Sequence, residues 1–199
     1  MRSIALAAAF AAIAIGFPGA ASAGVIVNVK KAHYEIAGKT GAALLDAMER
    51  RGPKHGFLTR AIAQTRYSVG WDMMWAERNR TCRVKKADAR LSMTYTFPLL
   101  TGDVSPQLRK RWTRFMKGVV KHEETHGTIA RQMVRAAELS IAGLATSNDP
   151  ACRKARAEAK RRVEKVYAQY ERRQILFDLK EHGEGGNVER LVTGLKGRN

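Results

Sequence analysis

Two histidines four residues apart flank a glutamate in His122-Glu123-Glu124-Thr125-His126. On a helix, positions four apart stand one turn above each other on the same face, so both imidazoles can meet a single cation. Glu123, next to the first histidine, projects beside that pair and suits a carboxylate that takes a proton from water instead of binding the metal. The combination points to metal-assisted hydrolysis. One zinc ion would polarise a carbonyl and acidify water, and Glu123 would act as general base before passing the proton to a leaving amine. Glu124 lies about 100° further around the helix and reads as a surface residue.

A catalytic zinc usually takes three protein ligands plus water, so His122 and His126 require a partner. The stretch 127–138 offers only Glu138. Twelve residues beyond His126 on the same helix is about 18 Å, too far to share an ion. The third ligand must come from another element, with His182, Asp178, Glu171, Glu164, His33 and His55 as candidates. For Asp178 taken alone, a helix-surface carboxylate is the plainer expectation.

The elements that must position these groups can be read from periodicity. Val25, Val27 and Val29 alternate with other residues in a stretch that continues to Ile36, which predicts a strand. Thr40 to Arg50 carries Ala43, Leu44, Ala47 and Met48 at helical spacing and stops at Gly52-Pro53. Two extended runs follow, Thr65 to Trp75 and Ala89 to Phe97, on either side of a polar turn at Arg78-Asn79-Arg80. In the second run, Leu91, Met93, Tyr95 and Phe97 share one face and Ser92, Thr94 and Thr96 the other, as in a half-buried antiparallel strand.

The second half reads as helical. Ser105 can cap a helix that begins with Pro106, where a missing N–H costs nothing. An apolar stripe through Leu108, Trp112, Phe115 and Val119 resumes at Ile129 and runs to Leu144, with the histidine motif in the gap. A helix from Pro106 to near Gly143 follows. Asn148-Asp149-Pro150 begins another, with Cys152, Ala155, Ala159, Val163, Val166, Tyr170 and Phe177 on its apolar face and Gly183 at its end. A hairpin of these two helices turning near Ser147 would bring residues 168–172 level with His122 and His126. The expected fold is α+β: a small antiparallel sheet with one helix in the N-terminal half, then a long antiparallel helical hairpin carrying the motif. Residues 24–183 would form a single zinc-peptidase-like domain, with 184–199 as a flexible tail.

The N-terminus suggests where this domain resides. Arg2, an apolar run from Ile4 to Phe17, and Ala21-Ser22-Ala23 fit a cleaved export signal over residues 1–23. Gly16, Pro18 and Gly19 interrupt the run too early for a membrane span, which needs roughly 20 apolar residues. A periplasmic or secreted location makes Cys82 and Cys152 a candidate disulfide. A loop of about 70 residues closed by that bond corresponds to roughly 4 kcal/mol on the loop-entropy model. The net charge of +18, one unit less once Arg2 leaves, raises nucleic acid as a partner. The basic residues, such as Arg109-Lys110-Arg111 and those between Arg153 and Arg162, lie along helical faces without nucleic-acid-binding motifs. They suit a solvated surface that associates with anionic envelope components, and no specific nucleic acid is expected.

Several of these features together resemble the bacterial DUF922 family, described as predicted secreted zinc-dependent proteases. They are the export signal, Tyr34 to Gly38, Gly56-Phe57 leading to Thr59, Cys82 after the paired strands, His122-Glu123-x-x-His126, and a late Asp178…His182-Gly183 in which Phe177 stands where the family has Tyr. The resemblance implies His182 as the third zinc ligand and a peptide or protein as substrate. The alternative is a non-enzymatic envelope protein that binds anionic glycans or a protein partner through its basic surface.

Overall fold

The computed structural model describes residues 24–55 and 59–197. The export-signal segment, residues 1–23, lies outside the described residues. The fold is α+β. Strand β1 (Val25–Ile36) leads to α1 (Gly41–Arg51), the short pair β2 (Lys54–His55) and β3 (Thr59–Arg60), and then a long hairpin of β4 (Gln64–Arg78) and β5 (Thr81–Leu100). Next come α2 (Pro106–Ile141), the short β6 (Ala145–Thr146), a 3-10 turn at Pro150–Cys152, α3 (Arg153–His182) and α4 (Asn187–Lys196).

The β4–β5 hairpin closes through Asn79 and Arg80, both with positive φ (51° and 59°). Two left-handed residues in succession form the turn whose twist matches that of paired strands. The inward side chains of β5, Ala87, Ala89, Leu91, Met93, Tyr95 and Phe97, are all buried, and α2 and α3 pack on that face. The sheet is mixed and not wholly antiparallel: β4 runs antiparallel to β5, but β1 lies parallel to β5 on its other side, with Val25 opposite Ala89 and Ile36 opposite Leu100. A parallel partner needs a crossover connection, and the segment from α1 through β4 supplies it.

Helix α2 starts as its sequence dictates, with Pro106 in the first turn and Ser105 Oγ accepting from the Leu108 N–H at 3.2 Å. Its 36 residues span about 54 Å. The connection that follows is stitched to the tip of the β4–β5 hairpin. β6 pairs with β5 at Cys82 and Arg83, the Asp149 N–H donates to the Arg80 carbonyl at 2.9 Å, and Cys152 is disulfide-bonded to Cys82. Asp149 then accepts from the N–H groups of Lys154 and Ala155 at 2.9 and 2.8 Å, capping α3. Burial alone would push the Asp149 carboxyl up, but these amide donors outweigh it and hold its pKa below the ordinary value.

This anchoring sets the register between the long helices. Arg162 donates to the Ser140 carbonyl and Arg173 to Gln132 Oε1. The hairpin therefore turns effectively at Pro150–Cys152 and not at Ser147, which moves α3 roughly two turns along α2 relative to the sequence expectation. The C-terminal segment also differs from expectation. Residues 187–196 form α4, and Leu195 is fully buried in a core with Ile36, Leu44, Met48, Leu108 and Phe115. Among the described residues, no helix is long and apolar enough to cross a membrane.

Candidate metal centre

The centre lies between α2 and the last two turns of α3. His122 and Glu123 are buried, His126 is half-buried, and Glu124 points to solvent. His122 Nε2 and His126 Nε2 face each other at 3.2 Å. Asp178 Oδ1 reaches both, 2.9 Å from His126 Nε2 and 3.4 Å from His122 Nε2. His182, the last residue of α3, lies with its ring centroid 5.3 Å from that of His122. His122, Asp178 and His182 form a possible metal-binding group, each offering a ligand atom within 4.8 Å of the others.

These distances allow a test of fit. Ligand atoms about 2.0–2.1 Å from one ion in a tetrahedron sit about 3.3 Å apart. The triangle His122 Nε2, His126 Nε2 and Asp178 Oδ1 has edges of 3.2, 2.9 and 3.4 Å, which is the face of such a tetrahedron. The proton on His126 sharpens the point. Gln174 donates its amide to the His126 carbonyl at 3.2 Å, which turns Oε1 toward His126 Nδ1 at 2.6 Å. Nδ1 must therefore be the donor, and Nε2 of a neutral His126 is a bare acceptor facing the carboxylate of Asp178. Two acceptors at 2.9 Å require a cation between them, either a proton or a metal ion.

The surroundings follow the same pattern. Both imidazoles turn Nε2 to the centre; His126 Nδ1 meets the Gln174 oxygen, as the outer nitrogen of a metal-bound histidine does, whereas His122 Nδ1 is buried without a hydrogen bond, with Glu181 Oε2 3.7 Å away. Phe177 stacks on His122 with centroids 4.9 Å apart and meets His126 edge-on at 5.1 Å. For Asp178, burial would raise the carboxyl, but the two imidazoles outweigh it and hold it well below the usual carboxylate range. Burial opposes protonation of His126, but Asp178 and Gln174 overcome it and raise its pKa. Burial and the neighbouring His122 lower His182, favouring the neutral imidazole that metals bind.

Glu123 points from α2 toward the sheet, where Thr65 Oγ1 on β4 lies 2.6 Å from its Oε2. His122, His126 and Glu123 thus sit together as their spacing implies, and His182 arrives beside them. Asp178, expected as a surface carboxylate, instead contacts both histidines. Glu171 and Glu164 are exposed on α3, where Glu164 lies 3.8 Å from Lys160, and His33 is exposed on β1; none of them joins the group. The side chain of His55 lies outside the described residues. Gln174, Glu181 and Thr65 were not singled out as site residues in the sequence, and Phe177 was read there only as part of the helix's apolar face and of the late motif. A signal for the first was present: Gln174, Asp178 and His182 recur every four residues, a polar ridge that matches the His122–His126 spacing on the facing helix.

The model of a family described as bacterial proteins of unknown function, DUF922, matches residues 31–186, which include every residue of this centre. The chain belongs to that family. No curated protein and no solved structure matches the chain.

Proposed function

Starting from membership in a family whose activity is open, we propose that the chain is an exported zinc-dependent peptidase. The observation that carries the proposal is the triangle of His122 Nε2, His126 Nε2 and Asp178 Oδ1, whose edges of 3.2, 2.9 and 3.4 Å fit one tetrahedral ion. We assign zinc to these three side chains, with His182 as the alternative third ligand. Zinc, when bound, supplies a Lewis acid for a peptide carbonyl and lowers the pKa of water toward neutrality. Nitrogen and carboxylate donors in a compact tetrahedral arrangement suit it better than magnesium or calcium, which prefer oxygen ligands.

The chain's own groups supply the rest. Glu123, buried and next in sequence to His122, serves as general base, accepting a proton from the attacking water and giving it to the amine that leaves. Gln174 fixes the tautomer and tilt of His126, and Phe177 holds both rings in place. The side of the centre at His182 and the half-buried Asp178 faces solvent, and a substrate would approach from there. The disulfide is compatible with an oxidising compartment, and the composition of residues 1–23 supports export to it.

Metal analysis of the mature protein after zinc reconstitution is expected to give close to one equivalent, and less than about a tenth would sink the proposal, because such sites hold zinc firmly. Glu123→Gln is expected to keep the zinc and lose peptidase activity by several orders of magnitude. Retention of function in that variant would return the non-enzymatic envelope role.

A further inference from the structure

Directly opposite residues on β4 and β5, Thr65 and Tyr95, meet positions 123 and 127 on α2, which are one helical turn apart on one face. Thr65 Oγ1 lies 2.6 Å from Glu123 Oε2 and 3.1 Å from the Glu123 carbonyl oxygen. Tyr95 is buried against Gly127, where an added Cβ would come within 1.8 Å of its hydroxyl oxygen. The sheet therefore touches the motif helix at two adjacent points. One is a hydrogen bond to the side chain after the first histidine, and the other is a close approach that only a residue without a side chain permits at the position after the second.

We infer that Thr65 is a positioning residue for Glu123, and that Gly127 sets the helix-to-sheet distance at which it can act. This rests on the peptidase assignment above. A hydroxyl carries one proton, and the shorter contact, to a carboxylate, is the stronger acceptor. Donation to Oε2 fixes the plane of the carboxylate and occupies that oxygen, which leaves Oε1 as the base. A glutamate side chain has three rotatable bonds, and on a helix without this contact it would sample several rotamers. Held by Thr65, it stays in its buried position between α2 and β4. Gly127 is the second half of the device. A methyl group at 127 would collide with the Tyr95 hydroxyl, so that either the Tyr95 ring or α2 must shift. Where α2 moves away from β5, the pairing of β4 to β5 at Thr65–Tyr95 means that the Thr65–Glu123 contact lengthens with it.

Thr65→Val keeps the branched shape of the side chain and removes the hydroxyl. In the zinc-loaded full chain it is expected to lower kcat about tenfold to a hundredfold, the scale at which misplacing a catalytic group is felt, with KM and zinc content unchanged. Thr65→Ser is expected to restore most of the rate. A crystal structure of Thr65→Val is expected to show the Glu123 carboxylate rotated with His122 and His126 in place. An unchanged kcat in Thr65→Val, alongside an inactive Glu123→Gln, would overturn the positioning role and leave the peptidase assignment standing. An unmoved Glu123 carboxylate in the variant structure overturns it equally. A wild-type chain that loads zinc and cleaves no peptide overturns the peptidase assignment and removes the catalytic purpose of the contact.

Discussion

At the scale of single residues, the centre is decided by which oxygen faces two imidazole nitrogens. Asp178 contacts both His122 and His126, whereas His182 is exposed and joins through His122 and Asp178. Asp178→Ala is accordingly expected to weaken zinc binding more than His182→Ala does, measured by competition with a chromophoric chelator. Gln174→Ala, which frees the His126 ring without touching a ligand atom, should cost about 10–100-fold in affinity. The pair His122 and His126, with Glu123 between them, was legible as a candidate motif because it lies within about one turn of one helix, where spacing alone fixes direction. Asp178 was not. Its proximity depends on how far α3 slides along α2, and no local pattern in either helix carries that quantity.

At the scale of elements, the sliding is fixed by the connection between the helices. Residues 142–152 have no period of their own, yet they are held to the hairpin tip by β6, by the Asp149–Arg80 hydrogen bond and by Cys82–Cys152. Replacing both cysteines by serine is expected to destabilise the fold by up to about 4 kcal/mol, read in chemical denaturation. It should also weaken zinc binding, because the start of α3 loses its covalent anchor. Hairpin and helix starts were legible where their signals are local: Leu91, Met93, Tyr95 and Phe97 for the inward face of β5, and Ser105-Pro106 for the start of α2. The parallel pairing of β1 with β5 was not, since the opposing residues Val25 and Ala89 stand far apart in the chain and neither marks the other.

At the scale of the whole molecule, the chain closes on itself. α4 returns from the end of α3 to pack on α1 and α2, with Leu191 seated over Gly118 and Leu195 over Gly41. The cluster Gly183-Glu184-Gly185-Gly186 suggests a loose end. Val188, Leu191, Val192 and Leu195 beyond it nevertheless follow the three- and four-residue spacing of an amphipathic helix. Leu195→Ala is expected to cost about 2–5 kcal/mol, as for other fully buried leucines, visible as a lower thermal midpoint. A dispensable tail would show no change. With Leu195 in the core and His182 at the end of α3, the short turn at 183–186 separates the candidate metal centre from the helix that packs on the N-terminal half.

One consequence of the Cys82–Cys152 bond is thermodynamic. The covalent link favours the register in which Asp178 and His182 stand opposite His122 and His126, and a bound ion would favour that same register. Two processes that stabilise one arrangement must reinforce each other by equal amounts, whichever comes first. For the proposed zinc site, oxidation and metal uptake are therefore expected to be reciprocal: a reduced chain would hold zinc less tightly, and a zinc-loaded chain would give up its disulfide to a reductant less readily.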